Sequence, residues 1–137
     1  GWRWLLQSRH VRESRRTLVV GVDESARQLL DFLRETSYLD CELIGVVGPD
    51  RDSAGRILEG IQIVGSIDQL EELVTEYSVD EVIFTSATIS HSLKPLGGRR
   101  MRSVHVRMVP ASFPRLAAEI EPQSMDDLPL VEIRSRR

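Results

Sequence analysis

A turn that holds a phosphate between a strand and a helix must let backbone come close to an anion. The pattern that does so is G-x-G-x-x-G. Its first glycine makes the turn, its second admits the pyrophosphate, and its third lets helix and strand pack closely. Residues 21–26 read Gly21-Val22-Asp23-Glu24-Ser25-Ala26. The first glycine is present, and Ala26 is a tolerable small residue at the third position. Asp23 stands at the second. It puts a side chain where backbone contact is wanted and a negative charge where an anion would sit. A helix N-terminus attracts negative charge through its free N–H groups and its dipole. Asp23 is therefore expected as the N-cap, with Glu24 in the first turn, which stabilises the helix by about 1 kcal/mol. On this reading the turn is architecture first, and a phosphate would have to displace a carboxylate or bind beside one.

A second check on nucleotide chemistry is an acid at the end of strand two, to accept from ribose hydroxyls. In "GVVGPD" that strand ends at Gly48, and Asp50 follows two residues later, where Asp and Pro also serve simply to make a turn. A ligand at the strand ends would be lined by Gly21, Val22, Asp23, Glu24, Asp50, Ser86 and Thr88. No catalytic grouping emerges. His10, His91 and His105 are scattered and none has a second ligand at metal spacing. Ser90-His91-Ser92 suggests a capping or turn role, because adjacent residues point apart and no third group activates a nucleophile. Cys41, at the start of an apolar strand, reads as a small core residue. Asp68, Glu71, Glu72, Glu76, Asp80 and Glu81 give the second main helix an acidic, solvated outer side.

Strands and helices alternate around these residues. The first strand spans Thr17 to Gly21 and is followed by a helix with Ala26, Leu29, Leu30 and Leu33 on one stripe. "CELIGVVG" is the second strand, "PDRDSAGRILEG" a polar loop and "IQIVG" a short third strand. Ser66 caps the helix "IDQLEELVTEYS". "VDEVIFTSA" and "VHVRMVP" are strands four and five. A short helix is expected near Ala111 to Glu119, and "LPLVEIR" closes as an edge strand. Pro95 and Gly97-Gly98 break the helix expected between strands four and five, and Arg99-Arg100-Met101-Arg102 reads as a solvated face. The pattern predicts an α/β fold, a doubly wound, mainly parallel sheet of five to six strands in one domain. Ligands of such sheets bind beyond the carboxyl ends of the strands, where strand order reverses.

Length and composition agree: 137 residues, 41% hydrophobic and 28% charged, fit one soluble domain with one core. No apolar run approaches the roughly 20 residues of a membrane span. A single cysteine excludes an internal disulfide. The net charge of −3 is unevenly spread: residues 1–16 hold five arginines against Glu13 alone, so the body is acidic. That acidic body argues against nucleic acid as a partner. The basic start, with Trp2 and Trp4, fits either a solvated helical arm over residues 3–15 or a segment just leaving a bilayer on its cytoplasmic side.

The order of the pieces also resembles a known family. "TLVVGVDESARQLLDFL", "YLDCELIGVVGPD", "GRILEGIQIVGSIDQLEELV", "VDEVIFTSA", "VHVRMVPASF" and "MDDLPLVEI" are together similar to the cytoplasmic Rossmann-like, CoA-binding-like domain of bacterial polyprenyl glycosylphosphotransferases. The likeness runs over roughly residues 17–133. It implies a parent protein that transfers a sugar phosphate from a nucleotide sugar to undecaprenyl phosphate, with magnesium, to start exopolysaccharide repeats. It also implies that this segment is a non-catalytic regulatory or assembly domain, with no cofactor or metal of its own. Residues 1–16 would then be a basic juxtamembrane arm, 17–122 the Rossmann-like domain, and 123–137 a strand and linker toward a catalytic domain. The implied partners are the parent's own transmembrane and catalytic domains, a second copy, and a nucleotide or nucleotide sugar, at the cytoplasmic face of the inner membrane. Asp23, Ala26 and Pro95-Leu96-Gly97-Gly98 depart from the family pattern. A similar domain begins membrane-bound nucleotide-sugar dehydratases, which "DLPLVEI" disfavours without excluding.

Overall fold

The computed structural model describes residues 14–36, 39–89 and 97–134. The helical arm expected over residues 3–15, His10 and the Ser90-His91-Ser92 turn therefore lie, wholly or almost wholly, outside the described residues, as does Pro95. The strands are β1 (Arg15–Val20), β2 (Cys41–Gly48), β3 (Ile57–Leu58), β4 (Ile61–Ser66), β5 (Glu81–Thr85), β6 (His105–Val109) and β7 (Val131–Arg134). The helices are α1 (Glu24–Glu35), α2 (Leu70–Glu76) and α3 (Phe113–Ala117). They build one seven-stranded sheet in the order β3-β4-β2-β1-β5-β6-β7. The five central strands are parallel, and β3 and β7 run antiparallel at the two edges. The doubly wound α/β expectation holds, with more strands than the five to six expected.

The additional strand comes from the loop "PDRDSAGRILEG". Its last residues form β3 and turn back into β4 through Glu59-Gly60, whose φ angles are 51° and 80°. Two consecutive positive φ values make the tight hairpin turn whose twist matches the strands. Elsewhere the departures are local. The helix expected after Ser66 begins as a single 3-10 turn, Ile67–Gln69, and becomes α-helical at Leu70. Its start is a capping box: the Ser66 amide donates to Gln69 Oε1 at 3.1 Å. The arginine run forms a 3-10 turn, Arg99–Ser103, with Met101 buried beneath it.

β1 is apolar at successive positions because it is covered on both faces. Val19 joins Ile83, Val109, Leu29, Leu30 and Phe113 under α1 and α3. Leu18 and Val20 join Phe84, Leu70, Leu73, Met101 and Val104 under α2. Each such side chain contributes roughly 1.5–3 kcal/mol through burial.

One expectation is overturned. Glu81 is not part of a solvated acidic face: its side chain is fully buried on β5. Arg107, on β6 and 3% exposed, donates to it through Nε and, at 3.1 Å, through Nη2. Arg15 adds a third contact from β1, Nη1 to Glu81 Oε1 at 3.2 Å, and reaches Asp126 Oδ1 at 2.9 Å. The segment after α3 is thereby tied to the start of β1. Met125, fully buried, fastens the same segment to the start of β2 by donating its amide to Asp40 Oδ1 at 2.9 Å. Burial opposes the charge on Arg15, but Asp126 and Glu81 outweigh it and raise its pKa.

Replacing Glu81 by Ala leaves the Arg107 guanidinium buried and uncompensated, and is expected to cost about 3–5 kcal/mol in urea unfolding. An apolar double replacement, Glu81→Leu with Arg107→Met, is expected to recover most of that loss. The hydrogen bond from Arg15 holds the Asp126 pKa below its ordinary value. A lowered carboxylate pKa stabilises the fold above the unfolded value, near 4, and the contribution fades as pH falls through the folded value. The stability difference between wild type and Asp126→Asn is accordingly expected to shrink on acidification below about pH 4.

Candidate functional site

The strand order reverses at β1, whose neighbours β2 and β5 lead in opposite directions. In such sheets the crevice opens where the chain leaves these strands. Gly21 makes that exit with φ +132°. A Cβ on Gly21 would stand 2.7 Å from Thr85 Oγ1 and 2.8 Å from Thr85 Cγ2. The glycine is required twice over, by its conformation and by its contact with the end of β5. Its amide donates to Val47 O at 2.9 Å, so the turn is stitched to β2 as well.

On the β5 side a small hydroxyl cluster closes the seam. Thr88 Oγ1 lies 3.1 Å from Val20 O, 3.0 Å from Thr85 O and 3.0 Å from Thr85 Oγ1. Its single proton can serve one of the carbonyls at a time. Thr88 thus fastens the loop after β5 to the end of β1, and Gly21 and Thr88, both expected in a site, are brought together. Ser86, which follows β5, is exposed. Thr85 was not singled out in the sequence. Its only signal was a small polar residue ending an otherwise apolar strand.

At the helix start, Asp23 does what its position predicts. It is the N-cap of α1, with φ −84° and ψ −175°, and its Oδ1 accepts from the Ala26 amide at 3.1 Å. Glu24 begins the helix and is exposed, while Val22 is half-buried against the α1 core. Asp50 lies across β1 from Thr88, beyond the end of β2. It is exposed, begins the 3-10 turn Arg51–Ser53, and accepts from Ser53 Oγ at 3.2 Å. The turn role foreseen for Asp50 is the one it plays.

The remaining titratable candidates do not join this edge. Cys41 starts β2 at the other end of the sheet; burial pushes its thiol pKa up, although Thr17 lies 3.7 Å away. That makes it a poor nucleophile. His105 sits on β6 with its Nε2 2.8 Å from the Glu132 carboxylate. Among the described residues no cluster of three metal-ligating side chains exists. A cavity of about 410 Å³ lies between the end of α1 and the starts of β2 and β4, lined by Leu30, Leu33, Leu39, Cys41 and Ile61. Arg34 and Glu59 also line it, but they pair with each other at 3.3 Å and the rest of the lining is mostly apolar, so the strand ends remain the candidate site.

Comparison with solved structures supports the fold assignment. The chain is similar to UDP-D-quinovosamine 4-dehydrogenase from Vibrio fischeri, with a TM-score of 0.55 and 21% identity over 84% of this chain and 98% of that one. It is similar to RSP, a Rex-family repressor, in complex with β-NADH, with a TM-score of 0.57 and 10% identity over 85% of this chain and 64% of the repressor. The complex of RSP with β-NAD+ and operator DNA gives 0.54 and 10%, over 78% of this chain and 49% of that one. The chain thus spans about half to two thirds of the repressor. At these identities the likeness shows the Rossmann-like fold. No family model and no curated protein matches the sequence. None of the structures named is a polyprenyl glycosylphosphotransferase.

Gly21→Ala is expected to destabilise the domain by about 2 kcal/mol or more, since strain and overpacking each cost about 1–3 kcal/mol. Asp23→Ala is expected to cost about 1 kcal/mol through the lost cap. Both are read from denaturant midpoints at unchanged m-value.

Proposed function

We propose that this chain is a nucleotide-binding domain that senses a nucleotide or nucleotide sugar over the crevice between β1 and β5. One observation carries the reading: strand order reverses at β1, and there Gly21 packs on Thr85 beside the Thr85–Thr88 hydroxyl cluster, at the switch point where sheets of this kind hold nucleotides. The similar structures add support, since one is named for acting on a UDP-sugar and another is bound to NADH. No acid–base or nucleophile pair stands beside the crevice among the described residues, so binding rather than turnover is the reading. Gly21, Val22 and the loop at Ser86 would contact the ligand directly. Asp23 would face it from the helix start, and Thr88 would hold the loop in place.

A second reading is favoured by the Asp23 cap. A helix that satisfies its own first turn can serve as pure scaffold. In that case the domain is the regulatory or assembly part of a sugar-phosphate transferase, as the segment order from "TLVVGVDESA" to "DLPLVEI" suggests. Its chemistry and magnesium would lie in another domain, and it would work at the cytoplasmic face of the inner membrane. Among the described residues no helix is long and apolar enough to cross a membrane.

Calorimetric titration with NAD+, NADH, UDP and UDP-sugars separates the two. Micromolar affinity for any of them supports the sensor, and silence from all at millimolar concentration supports the scaffold. Asp23→Gly is the sharper probe. Glycine is acceptable at an N-cap, costing only a few tenths of a kcal/mol. It removes a carboxylate from the phosphate position. It is expected to raise nucleotide affinity about tenfold, the equivalent of about 1.4 kcal/mol.

A further inference from the structure

A dinucleotide in this fold lies across the switch point, with one nucleoside on each side of it. The two sides differ here. On the β2–β4 side the strand ends are covered. A Cβ on Gly48, the last residue of β2, would stand 2.7 Å from Ser53 Cβ and 3.4 Å from Ile63 Cγ2. Ser53 is held by its hydrogen bond to Asp50. The loop continues as a ladder onto β4: Gly55 donates to Ile63 O and Ile63 donates to Arg56 O, both at 2.8 Å. Arg51 then spans from this loop to the turn after β4, with Nη2 3.0 Å and Nε 3.1 Å from Asp68 Oδ2. Asp68 is in turn held by Ser66 Oγ, and these contacts, Ser66 first, keep its pKa below the ordinary carboxylate range.

On the β5–β6 side the loops at residues 86–89 and 110–112 hold no charged residue, and Ser86, Ala87 and Ala111 are exposed. Among the described residues, the β2–β4 flank is therefore covered by a fastened loop and the β5–β6 flank is not.

We infer that the site takes a ligand with one nucleoside unit, a mononucleotide seated over β1, β5 and β6, and that the loop from Asp50 to Arg56 excludes a dinucleotide. The inference rests on the nucleotide-binding reading above. The loop acts as a specificity element, with Ser53 and the Arg51–Asp68 pair as its fastenings. An exposed ion pair is a weak fastening by itself, so Ser53 on Gly48 and the ladder to β4 carry most of the closure.

The test is calorimetry on the full chain with AMP, ADP, UDP and NAD+, in wild type and in the double variant Arg51→Ala with Ser53→Gly. Thermal unfolding confirms that both are folded. In wild type the tightest mononucleotide is expected to bind at least tenfold more tightly than NAD+. The double variant is expected to gain tenfold or more for NAD+ with mononucleotide affinity within twofold of wild type. Wild-type NAD+ affinity equal to or above that of every mononucleotide overturns the inference and leaves nucleotide binding standing. So does a double variant that fails to gain for NAD+. If none of the four binds either protein, the inference falls, and the nucleotide-binding reading is decided by the NADH and UDP-sugar titrations above.

Discussion

The structure depends on β1 being buried on both faces and paired in parallel on both sides. Leu18, Val19 and Val20 have no solvent exposure, and β2 and β5 flank them throughout. The stretch so enclosed can hold no polar side chain cheaply, hence the apolar run Leu18–Val20. Because the chain runs from β1 to β2 on one side and comes back from β4 to β5 on the other, the loops flanking the end of β1 diverge. The chain must leave that place at once, and Thr85 stands in its way. A glycine at φ +132° is the solution.

The other end of the same strands handles charge differently. Glu81 and Arg107 face the α1 side of β5 and β6, where the neighbours are Val19, Ile83 and Val109. Two charges in such a place cost more in lost hydration than a pair of leucines would. Their value lies in register. In the observed pairing Glu81 lies opposite His105 and Ile83 opposite Arg107, so the ion pair runs diagonally across the two strands. Sliding β6 by one residue would send Arg107 to the α2 face without its carboxylate and leave Glu81 with Arg15 alone. A mismatch of β5 and β6 is penalised far more than by lost apolar contact, and the ends of β5 and β6 that flank the crevice inherit that fixed alignment.

Much of this was legible in sequence because it is local. Asp23 announced a cap by its type, its place after a strand, and the apolar stripe that follows it. The α1 stripe of Ala26, Leu29, Leu30 and Leu33 is the buried face found in the structure. Asp50 as a turn residue needed only its neighbours Pro49 and Ser53. What escaped was what depends on partners far along the chain. Glu81 sits beside Asp80 in a run of acids, and that company assigned it to a solvated face; its partner Arg107 is 26 residues away. Ser53 packing on Gly48 and Arg51 pairing with Asp68 could not be read from a loop that looked merely polar. Thr85 is visible as a site residue only once Gly21 is known to lie against it. The sequence likeness to transferases rested on segment order, which reports the fold and says little about the parent protein's reaction.

Asp23 does not settle the fate of the crevice by geometry alone. A helix start offers four free amides, and Asp23 takes one of them, from Ala26. Donors are therefore not what a phosphate would lack. The obstacle is charge. Two unit anions about 4 Å apart repel by about 1 kcal/mol in water and about 4 kcal/mol at the effective dielectric of a protein surface. Asp23 is half-exposed, so the true cost falls between these limits. A repulsion of that size lies within what a ribose and a base can offset by their own contacts. A fully glycine-rich turn would spare the ligand this cost. On the nucleotide-binding proposal, the capped turn would stabilise the empty domain and weaken the occupied one, narrowing the gap between the two states. A domain whose purpose is to report a changing concentration is served by that compromise, whereas a tightly held cofactor would be better served by a second glycine.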